Sequence, residues 1–97
     1  MRVQELISTK VAGKDNNERL TLEYYLTEKE SEESNAKVYG ISITKKSDEG
    51  LESDVVENIS YEKDQVLELL HTLSQNTVTP ICLVETLDDL MTERMYG

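Results

Sequence analysis

Two apolar stripes of helical period dominate the last third of this chain, joined by the turn Asn76-Thr77-Val78-Thr79-Pro80. The first stripe is Val66, Leu69, Leu70 and Leu73. The second is Leu83, Val84, Leu87, Leu90 and Met91. At 100° per residue the first cluster spans about 100° of arc, with Asp64, Glu68 and Gln75 opposite. Asp89, Glu85 and Glu93 face away from the second stripe. The spacing predicts helices over about 61–75 and 80–92. Ser60 is the expected N-cap of the first, since a hydroxyl can accept from the free amides of a first turn. Glu62 and Asp64 suit the positive end of the helix dipole. Asn76 is expected to stop that helix in a left-handed conformation. Thr79 is expected to cap the second helix, with Pro80 at its first position, where a missing N–H costs nothing.

Upstream the period changes to two, the signature of half-buried strands. Leu20, Leu22, Tyr24 and Leu26 share one parity, while Thr21, Glu23, Tyr25 and Thr27 share the other. Tyr39, Ile41 and Ile43 alternate with Gly40, Ser42 and Thr44. Val3, Ile7 and Val11 fall on one parity, against Gln4, Ser8 and Lys10. Leu51, Val55 and Ile59 match in parity with Glu57 intervening, a weaker pattern. The expected strands are about 2–11, 19–27, 37–46 and 51–59. Gly13-Lys14-Asp15-Asn16-Asn17 and Ser47-Asp48-Glu49-Gly50 read as turns. The Glu/Ser-rich stretch from Glu28 to Ala36 reads as a mobile surface loop.

Short links between successive strands favour an antiparallel meander. Burying two helical stripes and one alternating sheet face together predicts an α+β fold. The expectation is one domain over residues 1–97, a four-stranded antiparallel meander with a C-terminal two-helix hairpin packed on one face. Water can solvate the other face, with Thr21, Glu23, Tyr25, Thr27, Ser42 and Thr44. Tyr25 and Val56 are its only expected large apolar members, too few for an obligate interface on that face alone.

Charge narrows the function classes. Residues 1–48 carry eight Lys/Arg and nine Asp/Glu, whereas residues 49–97 carry two against eleven. An acidic half of that density repels nucleic-acid phosphates and anionic membrane surfaces alike. It suits either a solvated surface or a basic protein partner. No apolar run approaches the ~20 residues of a membrane span. The start of the chain lacks the apolar stretch of a signal peptide. One cysteine permits no intrachain disulfide, and together these point to a cytoplasmic setting.

Few residue sets carry chemistry. His71 lies off the first stripe, and as the sole histidine it excludes a histidine-cluster metal site. Cys82 is expected near the start of the second helix, where a dipole and free amides can activate a thiol. It falls off the stripe, but Glu85 opposes thiolate formation, and no third group orients a Cys82–His71 pair. Asp48, Gly50, Glu52 and Asp54 miss the spacing of a calcium loop. There is no glycine-rich phosphate loop and no G-x-S-x-G elbow. The helical hairpin could suggest DNA binding, but its second helix displays Glu85, Asp88, Asp89 and Glu93, which phosphates would repel.

Three stretches carry a family resemblance: Val38-Tyr39-Gly40-Ile41; Asn58-Ile59-Ser60 with Val66, Leu69-Leu70 and Leu73; and Asn76-x-Val78-Thr79-Pro80-Ile81-x-Leu83. Over roughly residues 36–91 the chain resembles a small Firmicutes family known only as a domain of unknown function, number 6514. The resemblance implies no activity, cofactor or catalytic residue. Similar members often carry histidine where this chain has Cys82, which weakens a thiol-specific mechanism.

The expected function is a non-enzymatic protein-interaction or regulatory module. It would act on a protein partner or as a homodimer, with no catalytic residue, metal or cofactor. Glu85, Asp88, Asp89 and Glu93 are the candidate interaction surface. The alternative is a redox- or ligand-responsive small domain using the Cys82 thiol.

Overall fold

The structure, a computed structural model, describes residues 3–13, 19–31 and 36–96, the side chains of 12, 13, 19 and 93–96 excepted. Four strands, β1 (Val3–Gly13), β2 (Arg19–Glu30), β3 (Lys37–Ser47) and β4 (Gly50–Ser60), precede helix α1 (Lys63–Gln75). A single 3-10 turn, Pro80–Cys82, then leads into helix α2 (Leu83–Tyr96). The strands pair antiparallel in the order β1-β2-β3-β4. The α+β class and the four-stranded antiparallel meander are therefore present.

Alternation on the central strands builds the core. Leu22, Tyr24 and Leu26 of β2 and Ile41 and Ile43 of β3 are buried on one sheet face. Val66, Leu69, Leu70 and Leu73 of α1 pack onto them, together with Val78, Leu83 and Leu87. Helix α1 contacts all four strands, and the 3-10 turn contacts β3 and β4. Helix α2 meets chiefly the 3-10 turn and α1. Its buried stripe is accordingly narrower than the sequence suggests: Leu83 and Leu87 are buried and Leu90 is half-buried, but Val84 and Met91 are exposed.

Two bulges re-aim side chains. In β1 the register slips between Leu6 and Ser8, leaving Ile7 outside the pairing with β2. An extra residue switches the side chains beyond it to the opposite face. Val3, Ile7 and Val11 therefore share no buried face, and all three are exposed. Ser8 instead lies opposite Tyr24 on the helix side, where its hydroxyl meets that of buried Ser74 at 2.6 Å.

In β4 the register slips between the partners of Tyr39 and Ile41, which are Ser60 and Val56. Asn58 turns left-handed there (φ 59°), a conformation asparagine tolerates better than most residues. The bulge leans on Gly40: a Cβ there would stand 2.8 Å from Cα of Glu57 and would also meet the Val56 carbonyl. Only glycine lets the two backbones approach so closely. Val55 lies opposite Ser42 and Val56 opposite Ile41. Val55, not Val56, is thus the β4 valine on the face away from the helices.

The chain ends of the elements also differ from expectation. Glu28–Glu30 continue β2 rather than opening a loop. Ser31 N–H donates to Ala36 O at 2.7 Å, and residues 32–35 of the expected loop lie outside the described ones, as do 14–18. Ser60 ends β4 and is not the N-cap, a position held by Glu62 without a side-chain bond. Its hydroxyl still serves the helix start, accepting from Glu62 N–H at 3.0 Å and donating to Gln65 Oε1 at 2.9 Å.

At the other end of α1 it is Thr77 that turns left-handed (φ 52°), while Asn76 has φ −91°. Val78 N–H donates to Leu73 O at 3.0 Å and Thr77 N–H to Ser74 O at 3.1 Å, the paired closure of a Schellman motif. Asn76 contributes differently, its side-chain amide donating to Thr72 O at 2.9 Å. Thr79 precedes the second helical segment as expected but makes no side-chain cap bond; its carbonyl accepts from Cys82 N–H at 3.1 Å.

Candidate functional site

The 3-10 turn and α2 place an apolar row beside carboxylates. Ile81 is 79% exposed, Val84 50% and Met91 38%. Spaced three and seven residues apart, they follow the helical repeat along one side of the segment. Glu85, Asp88 and Asp89 are exposed among them. None of these three carboxylates has an ion pair among the described residues. The Glu93 side chain lies outside the described residues. Burial explains the arrangement: Pro80, Leu83 and Leu87 occupy the inner side, so the residues between them point outward.

Sequence reasoning identified the carboxylates but assigned Val84 and Met91 to the core. Ile81 was missed. Its signal was present, because an isoleucine directly after Pro80 and two before Leu83 cannot share that leucine's side of a helix.

Cys82 is free and exposed. Its amide is already spent on Thr79 O, and it closes a turn of three residues rather than opening an α-helix. It thereby stands immediately before Leu83, the first residue of α2. His71 is exposed on α1, its Nε2 lying 3.1 Å from Gln75 Nε2. A shallow depression of about 610 Å³ along α1 is lined by Asp64, Leu67, Glu68, His71 and Thr72, with Cys82 not among them. Among the described residues no three His, Cys, Asp or Glu side chains converge as a metal site. Asp54 and Glu52 lie along β4, where Asp54 Oδ1 accepts from Val55 N–H at 2.9 Å and Glu52 pairs with Lys45 at 4.0 Å. Among the described residues no helix is long and apolar enough to cross a membrane.

A second polar cluster, on the sheet face away from α1, was not anticipated. Lys46 Nζ lies 3.0 Å from Oε1 of Glu23, which is itself sealed from water. Lys46 pairs with that oxygen as a charge, while no donor points at it with hydrogen-bond geometry. Contact with the Glu23 carboxylate, and its charge, raise the Lys46 pKa. Burial, reinforced by the Glu23 charge, raises that of Tyr25, against the opposing charge of Lys46. The Glu23–Lys46 pair ties β2 to β3 on this face.

A family model described as "Family of unknown function (DUF6514)" matches residues 3–93, and the chain belongs to that family. The match bears out the resemblance read from the three motifs and extends it over β1 and β2. No curated protein and no solved structure matches the chain.

Proposed function

We propose that this member of the DUF6514 family is a non-enzymatic interaction or regulatory module that engages a protein partner through the outer side of α2. In this reading the two helices form one cap over one sheet face, and α2 turns its remaining side to the partner. The observation that carries it is the exposed row Ile81, Val84 and Met91 beside Glu85, Asp88 and Asp89. Each apolar side chain withdrawn from water contributes on the order of 1 kcal/mol or more. Unpaired carboxylates at the rim steer a basic partner and discourage acidic ones. The lone cysteine fits a reducing, cytoplasmic setting.

The test is affinity capture from native lysate with wild type, Ile81→Asp and Asp88→Lys, at low and high salt. A partner held by wild type, lost with Ile81→Asp and weakened by Asp88→Lys supports the reading. Capture that is equal for all three proteins, or none at all, overturns it.

The exposure of Cys82 favours a second reading, a redox- or ligand-responsive domain using that thiol. It requires faster alkylation than free cysteine near neutral pH. A rate no higher than that of free cysteine ends it.

A further inference from the structure

We infer that the sheet face turned away from α1 is the contact surface of a homodimer. Its side chains fall in rows set by the strand register. Leu6, Tyr25, Ser42 and Val55 form one row across all four strands. Val11, Thr21, Lys46 and Leu51 form another, with Thr9, Glu23, Thr44 and Ser53 between them. Leu6 is 50% exposed, Val11 66%, Leu51 70% and Val55 40%, and among the described residues no element covers them. The face is richer in apolar side chains than the sequence suggests, because the β1 bulge delivers Leu6 and Val11 to it together.

Charge decides the occupant. The chain has a net charge of −10, and residues 62–92 alone hold six carboxylates against one lysine. A second copy is therefore repelled by the helix side. On the sheet face the charges are balanced in place: Glu23 pairs with Lys46 at 3.0 Å, and Glu57 with Lys29 at 3.4 Å. This is the broad surface on which two acidic copies can meet without juxtaposing like charge. Face-to-face packing at ~10 Å sets the two helix layers ~30 Å apart, several times the ~8 Å Debye length at physiological salt.

Area is consistent with a weak dimer. Four strands spaced ~4.8 Å, each of about eleven residues rising ~3.4 Å, give the whole face a footprint on the order of 700 Å². Thr27 and Ser42 on it are already buried, so a contact made by the exposed rows falls below the ~800 Å² per partner of a standard interface. A two-fold axis running along the strands makes such a contact self-complementary, each row meeting its own counterpart in reverse strand order, so that Glu23 faces Thr44 and Lys46 faces Thr21 of the second copy. The dimer goes beyond the α2 reading and does not rest on it.

The test is sedimentation velocity from micromolar to millimolar protein, at low and high salt. Wild type, Leu6→Glu, Val55→Glu and Asp88→Lys are compared, with circular dichroism verifying each fold. Wild type is expected to dimerise, more tightly as salt screens the residual repulsion. Leu6→Glu and Val55→Glu, on opposite edge strands, each weaken association about tenfold or more. Asp88→Lys keeps the dimer, so failure of this inference and failure of the α2 reading are separable. A monomeric wild type throughout the range overturns the inference. So does a dimer that salt weakens. Loss of the dimer in Leu6→Glu alone also overturns it, pointing to edge pairing through β1, and a dimer indifferent to both glutamates does the same.

Discussion

The phenol of Tyr24, buried at the centre of β2, donates a 2.9 Å hydrogen bond to the carbonyl oxygen of Val78 in the turn between the helices. One side chain thus ties the middle of the sheet to the point where the chain reverses. Burial pushes its pKa up to about 12 from an ordinary 10.0. A raised pKa means the folded state favours the protonated phenol, so this stability is complete below pH 10 and declines as pH rises towards about 12. Two units correspond to about 2–3 kcal/mol at the limit. Tyr24→Phe is expected to lose ~1 kcal/mol near neutral pH, the net worth of a typical hydrogen bond, with the Val78 carbonyl left short of a donor. Urea unfolding of both proteins across the alkaline range checks the sign. The gap between wild type and Tyr24→Phe should shrink as pH rises; a gap that is constant with pH refutes the account.

Gly40→Ala should destabilise by about 1–3 kcal/mol, because the obstruction is the β4 backbone at Val56 and Glu57, which cannot swing aside as a side chain can. Thermal melting monitored by circular dichroism measures this. A melting temperature equal to that of wild type would show that the bulge yields.

Thr77 holds a left-handed conformation that its β-branched side chain resists. Glycine relieves that strain but adds freedom to the unfolded chain. The balance predicts that Thr77→Gly stabilises by roughly 0.5–1 kcal/mol. Denaturant midpoints compared at constant m-value read it directly, and a destabilised variant would contradict it.

Ser8 and Ser74 satisfy one another at 2.6 Å across the β1–α1 contact. Removing one hydroxyl leaves the other without its partner. Ser8→Ala is therefore expected to cost about 1–2 kcal/mol, and Ser8→Ala with Ser74→Ala less than the sum of the singles. A double-mutant cycle that closes additively would mean that the two hydroxyls do not depend on each other.

The repeating patterns of the sequence carried through to the fold, and the single-residue departures did not. Period two over Leu20–Leu26 and period 3.6 over Val66–Leu73 each average many side chains, so one exception does not disturb them. The bulge at Ile7 has no comparable signature, and one unpaired residue was enough to misplace Val11. Asn58 was a visible hint, being a residue that tolerates left-handed backbone in the middle of a strand pattern. Ser60, Asn76 and Thr79 were recognisable as boundary residues by type. Which backbone group each would satisfy depends on local angles that type alone does not fix. At the candidate surface, the exposure of Glu85, Asp88 and Asp89 followed from polarity. The exposure of Val84 and Met91 followed from how little of α2 the rest of the molecule covers, a tertiary fact.

Among the described residues strand β1 contributes no side chain to the core cluster, and it is held by its ladder to β2 and by the Ser8–Ser74 contact. Its attachment is enthalpically directional and poor in buried apolar surface. Amide exchange should therefore grade across the sheet, with β1 protons released by a sub-global opening well below the free energy that frees those of β2 and β3. On this account the molecule is expected to behave as a three-stranded nucleus with a detachable fourth strand. Any association that covers β1 would then register first as slowed exchange in that strand, ahead of any change in the melting of the whole.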